Sequence, residues 1–249
     1  MHVVALKSLP PAEGPFAQAL GAALGVTAYE ARARLVVPGG GPVVVASFGD
    51  AGEAEALRLV LQKAGFQALV VDSTAGPPPV AARRVELGSL ARFTTRAGEV
   101  HAVPWGEVRL LLRATGIAVG EETETQTSRS FSAGRALLTG GLLLTKKTTT
   151  TTTTSTEAWS SLLVVYPAHG PPIAVSESEV LYDGPGQPTQ PTRQATFTHI
   201  VERLRAAAPR AVYDDRLMRR AGQLQLLGRT LQPEAHLDVA LAVLAASLV

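Results

Sequence analysis

Thr27-Ala-Tyr-Glu-Ala-Arg-Ala-Arg-Leu35 decides the reading of the first third of the chain. A threonine followed three residues later by glutamate is a capping box, in which each side chain satisfies a backbone donor at a helix start. A short helix therefore runs to about Leu35. Upstream, Pro15 follows Gly14 as at a first helical turn, and Gly25 ends that earlier helix. His2–Leu6 reads as a strand. Downstream, residues 42–48 are a β-branched run that reads as a buried strand. Asp50 and Glu53 make a second cap, and Ala54, Leu57, Leu61 and Ala64 share one helical face that Gly65 closes. Residues 68–71 form the last strand. The expected order over residues 1–73 is β-α-α-β-α-β, a small α/β domain.

The same residues carry a resemblance. Leu24-Gly-Val-Thr-Ala-Tyr-Glu-Ala-Arg-Ala-Arg-Leu-Val36, the proline-led strand, Ala54-Glu-Ala-Leu57, Lys63-Ala-Gly65 and the closing strand resemble the C-terminal domain of the large-subunit ribosomal stalk protein and the related adaptor of the Clp protease. The resemblance implies a small interaction domain. The stalk protein's factor-binding face is lysine-rich, whereas Arg32 and Arg34 are the only basic residues on the second helix here. The adaptor's pocket for amino-terminal residues has no identified counterpart. The resemblance therefore implies neither a ribosomal nor a Clp role.

Thr74-Ala-Gly-Pro-Pro-Pro79 reads as an extended spacer, and the linker is placed at 74–82. From residue 83 the texture changes to short strands, expected at 85–87, 90–94, 100–104, 107–113, 162–166, 172–175 and 180–182. Phe197, Ile200, Val201, Leu204 and Ala208 then fall on one helical face ending before Pro209. Phe93-Thr-Thr-Arg-Ala-Gly-Glu-Val-His-Ala-Val-Pro-Trp-Gly-Glu-Val108 resembles bacterial pleckstrin-homology-like domains, which implies an antiparallel β-barrel plugged by that helix over residues 83–208. Phosphoinositide binding in that family uses bases in the first strand–strand loop, and Leu87-Gly-Ser-Leu90 has none. Residues 209–249 are a C-terminal helical segment. A last helix is expected from Gln232-Pro-Glu onward, apolar nearly all round and so destined for burial between domains or in a dimer. The fold class is α+β.

Residues 120–156 do not fit a compact barrel. Glu122-Thr-Glu-Thr-Gln-Thr127 and the seven threonines 148–154 offer no apolar face, yet threonine favours strands. Two such arms pair as a solvated ribbon around an apolar stretch holding Leu137, Leu138, Leu142, Leu143 and Leu144, flanked by Arg135, Lys146 and Lys147. These eight residues are the candidate binding site for a membrane surface or a protein partner. Two alternatives stand beside it. The stretch folds back as a helix over the barrel's second opening, or the threonine arms pair between copies into a homo-oligomer.

Chemistry is harder to find. No cysteine is present, which removes thiolates and cysteine-bound metals. His199 and Glu202 supply two potential ligands at i, i+3, short of the three or four a metal needs. Glu99 and His101 alternate on one strand, and Ser128, Ser130 and Ser132 lack a nucleophile elbow. Asp214-Asp215 with Arg216, Arg219 and Arg220 reads as a helix cap and a solvated charge face. No catalytic residue, cofactor or metal is therefore expected. With a net charge of +2 and 5% aromatics, nucleic acid is not an expected partner. The expectation is a cytoplasmic, non-enzymatic adaptor or scaffold, the alternative being a peripheral membrane or lipid-binding protein working through 133–144.

Overall fold

The computed structural model describes residues 1–12, 14–36, 40–131, 145–182, 190–228 and 231–248, and for 117–131 and 145–158 the backbone alone. Six helices and ten strands form among them, in an α+β arrangement. The capping box at Thr27 is made: its Oγ1 accepts from the Glu30 N–H at 3.2 Å, and Glu30 Oε2 accepts from the Thr27 N–H at 3.0 Å. It starts α2 (Ala28–Leu35), just after α1 (Pro15–Leu24), which Gly25 terminates at φ 66°. β1 (His2–Leu6), β2 (Val43–Phe48), α3 (Ala51–Lys63) and β3 (Ala68–Asp72) complete the β-α-α-β-α-β order. The Asp50 carboxylate caps α3 by accepting from the Glu53 N–H at 3.0 Å.

β1 is the central strand, antiparallel to both β2 and β3. β2 and β3 are thus parallel, and α3 carries the chain between them past β1, a split β-α-β unit. Side chains alternate along β1. Val4 and Leu6 pack with α1–α3, while Val3 and Ala5 belong to a second core on the opposite face. That double burial is why the strand is apolar from Val3 to Leu6.

The larger sheet contains β4 (Val80–Leu87), β5 (Ala91–Thr95), β6 (Val100–Val103), β7 (Val108–Phe131), β8 (Thr145–Pro167), β9 (Ile173–Ser176) and β10 (Val212–Leu217). Its order is β10-β7-β8-β9-β4-β5-β6, mostly antiparallel, with β10 beside β7 and β9 beside β4 in parallel. It is an open sheet and not the closed barrel expected from the sequence. β10 is added to the outer edge of β7, and β6 is the opposite edge. One face carries Val85, Phe93, Leu111, Leu163, Ile173 and Val175, against which α4 (Arg193–Ala207) lays Phe197, Ile200, Val201 and Leu204. On the other face Leu110, Leu112 and Ala114 share a core with Val3, Ala5, Val44 and Val71 of the small sheet and with α5 (Arg220–Leu227) and α6 (Leu237–Leu248). The burial expected for the all-apolar last helix is supplied inside the chain.

Several local expectations are corrected. Residues 180–182 are not a strand. Val180 is buried, and its carbonyl accepts from Arg193 Nη2 at 3.0 Å instead of entering a ladder. Arg193 also donates to the carbonyls of Glu177 and Ser178 and lies over the Tyr182 ring. Asp214 and Asp215 lie on β10 and do not cap a helix; Asp214 is paired with Leu112 in the parallel ladder to β7, and Asp215 falls at the irregularity that follows. The last helix starts at Leu237 and not at Gln232. Residues 232–236 make a turn in which the Ala235 and His236 N–H groups donate to the Gln232 carbonyl.

Residues 117–159 form a second compact unit, made from 117–131 of β7 and 145–159 of β8, which are neighbouring strands. The threonine-rich arms are thus extended backbone, as β-branching favours. At a rise of about 3.3 Å per residue, an arm of this kind spans roughly 50 Å.

Candidate docking groove

The outer side of β2 is the place where distant parts of the chain converge. Opposite Val4 and Ala5, the register slips from Ala46 to Val44, so Val45 is the extra residue of a β-bulge. A bulge frees a carbonyl from the ladder, and Arg34 Nη1, from the last turn of α2, donates to Val45 O at 3.1 Å. From β10, Arg216 Nη1 donates to Gly41 O, while its other nitrogens hold the nearly buried Asp214 carboxylate at 2.7 and 2.8 Å. Gly228, at the end of α5, lies so close that a Cβ there would sit 2.5 Å from Val44 O. Three carbonyls along this stretch are therefore already met by α2, β10 or α5.

Between these parts lies a groove of about 790 Å³. One wall is the end of α2 with Ala33, Arg34 and Val36, the other is α5 with Arg220 and Leu224, and the turn after α5 adds Leu231 and Glu234. Val36 and Leu224 keep 63% and 45% of their surface in solvent, although both are apolar. The polar side chains are Gln225, Gln232, Arg34, which is fixed by its bond to Val45, and Arg220 with Glu234, whose Nη2 and Oε1 pair at 2.6 Å. A concave apolar surface with a small number of placed charges is the form of a recognition site.

Of the eight residues singled out in the sequence, Arg135, Leu137, Leu138, Leu142, Leu143 and Leu144 lie outside the described residues. Lys146 and Lys147 fall on β8, where only the backbone is described. His199 and Glu202 both border a shallow depression on α4 with Thr192 and Thr198. His101 Nε2 lies 3.3 Å from Glu99 Oε1 but out of line for a hydrogen bond, and it is buried without a hydrogen-bond partner among the described residues. Among the described residues no three His, Cys, Asp or Glu side chains cluster as a metal site would require, and no helix is long and apolar enough to cross a membrane.

Sequence reasoning missed the groove because its described lining comes from residues 33–36 and 43–45 early in the chain and from 220–228 and 231–234 late in it. The one local signal is Leu224, an apolar residue on a side of α5 away from the buried Gln223, Leu226 and Leu227. No protein-family model, no curated protein and no solved structure matches the chain.

Proposed function

We propose that the chain is a non-enzymatic protein-interaction adaptor whose docking site is the groove between α2, β2 and α5. The observation that carries this reading is the pair of solvent-facing apolar residues, Val36 and Leu224, set on opposite walls of an apolar hollow. Burying such side chains drives association at roughly 25 cal/mol per Å² of apolar surface removed from water, and a few central anchors dominate binding. The same proposal takes β1–β3 with α1–α3 as a module of the stalk or Clp-adaptor kind, on the strength of its element order. It takes the larger sheet with α4 as an opened form of a pleckstrin-homology-like domain, supported by one helix packed on a strand meander.

The test is selection of peptides from a random display library on the full-length chain, followed by affinity measurement against wild type and Leu224→Glu. Selected peptides that lose at least about tenfold in affinity on the variant support the reading. Peptides that bind both proteins equally, or a selection that enriches nothing, overturn it.

A further inference from the structure

The two edges of the small sheet, β2 and β3, differ in how they are protected. On the β2 side Val45 is bulged out of register, Arg34 and Arg216 hold the carbonyls of Val45 and Gly41, and Gly228 covers that of Val44. β3 carries none of the usual guards of an edge strand. Ala68-Leu-Val-Val-Asp72 contains no lysine and no proline, and it pairs with β1 without a bulge. Its one charged side chain, Asp72, is engaged within its own chain. It accepts from the N–H and Oγ1 of Thr74 at 2.9 and 2.7 Å and lies 3.8 Å from His2 Nδ1.

The ladder fixes which backbone groups of β3 point outward. Across an antiparallel pair, residues alternate between exchanging hydrogen bonds and exchanging none. The Lys7 N–H donates to Gln67 O and the Ser73 N–H to Met1 O, so Leu69 and Val71, in the same phase, turn their backbone toward β1. Ala68, Val70 and Asp72 turn theirs to the open side. Two of those groups are already used: the Ala68 N–H donates to Phe66 O at 3.1 Å, and Asp72 O accepts from the Ala75 N–H at 3.2 Å. The Val70 N–H, Val70 O, Asp72 N–H and Ala68 O have no partner among the described residues.

This remaining set is complementary to itself. About a two-fold axis at Val70, two copies of β3 run antiparallel with Val70 opposite Val70 and Asp72 opposite Ala68. Each Val70 N–H then meets the other Val70 O, and each Asp72 N–H the other Ala68 O. The used Ala68 N–H and the used Asp72 O face each other, so no free group meets a used one. Sliding the strands by two residues in either direction puts a used group opposite a free one at two of the four bonds. A strand of another protein, with donors and acceptors at every second residue, meets both used groups. A second copy carries the same two gaps in matching places. The side chains agree, since Leu69 stands opposite Val71 and no charge stands opposite a like charge.

We propose that the open edge of β3 takes the same edge of a second copy, joining two three-stranded sheets into one of six strands. The contact is isologous and consumes the edge in both copies, so assembly closes at the dimer. It is separate from the docking groove, which lies along β2 on the other side of β1. One strand pair is a small interface, so the association is weak, with a Kd of about 10 µM to 1 mM.

Sedimentation of the full-length protein from about 5 to 500 µM spans that range. Val70→Pro removes an outward N–H that β1 does not use and is expected to weaken dimerisation at least about tenfold. The chain has no cysteine, so single cysteines report the register by oxidative cross-linking. Val70→Cys sets two Cα atoms about 5.5 Å apart across the axis, within disulfide reach, whereas Leu69→Cys leaves them about 8 Å apart, beyond it. The fold of each variant is checked by thermal melting. Wild type is expected to pass from monomer to dimer and no further, and Val70→Cys to link at least about tenfold more than Leu69→Cys. A wild type monomeric throughout, growth past the dimer, a folded Val70→Pro that dimerises like wild type, or equal linking of the two cysteine variants overturns the proposal. If Val70→Pro does not fold, the cysteine variants decide. A monomeric wild type whose display-selected peptides still depend on Leu224 removes the edge contact and leaves the groove standing.

Discussion

Gly228→Ala tests how tightly the end of α5 is seated on β2. Gly228 has φ 68° and ψ −156°, a region essentially reserved for glycine. Placing a side chain there costs about 1–3 kcal/mol in backbone strain alone. The added Cβ would also stand 2.5 Å from Val44 O, an atom of a buried strand already laddered to β1. Relieving that overlap means lifting the chain off the strand, at a further cost of about 1–3 kcal/mol typical of overpacking. The expected total is about 4 kcal/mol, which for a chain of this size lowers Tm by roughly 8–16 °C. Gly98→Ala is the control. Gly98 also has positive φ, 86°, but a Cβ added there would meet no atom within 4 Å, so strain acts without a clash. Urea unfolding followed by circular dichroism and tryptophan fluorescence gives both values. If the two variants agree within about 0.5 kcal/mol, the close seating of α5 on β2 is wrong, because the cost of the clash is then missing.

The remaining expectations address other joints. Arg193→Ala removes donors from three carbonyls and the guanidinium over Tyr182, and is expected to cost about 2 kcal/mol by chemical denaturation; Lys restores little because it lacks the planar fork. Leu244→Ala, fully buried on α6, is expected to cost about 2–5 kcal/mol in the same assay, the range for a core cavity. Burial pushes the Tyr166 phenol up to about 12. The unfolded chain loses that proton from about pH 10, so the folded state binds more protons between the two values. Stability is full below about pH 10 and declines toward pH 12, and Tyr166→Phe is expected to flatten that decline in pH-dependent melts. Finally, the adaptor reading expects the protein to stay in the supernatant with anionic liposomes. Pelleting that disappears on deletion of residues 133–144 would replace it with the membrane reading.

The N-terminal module was legible because its signals are local. A capping box, a proline at a first helical turn and a glycine at a helix end each act within four residues, and each is found in place. The alternation of Val108, Leu110 and Leu112 likewise announced a strand. The open form of the larger sheet was not legible, since pairing between β10 and β7 joins residues far apart in the chain and leaves no periodic mark. The strand at Asp214 misled for a related reason: two carboxylates before arginines fit a helix cap locally, and only the neighbouring β7 makes the segment extended. The groove was least legible of all, as neither of its walls looks unusual alone.

The placement of α6 has a bearing on biosynthesis. Its buried residues, as late as Ser247, complete the core that Val3, Ala5 and Val71 also line. Translation at about 5–20 residues per second leaves an interval on the order of ten seconds between the emergence of β3 and that of α6. Throughout it, the core behind the small sheet lacks α6 and stays incompletely covered, open to chaperones.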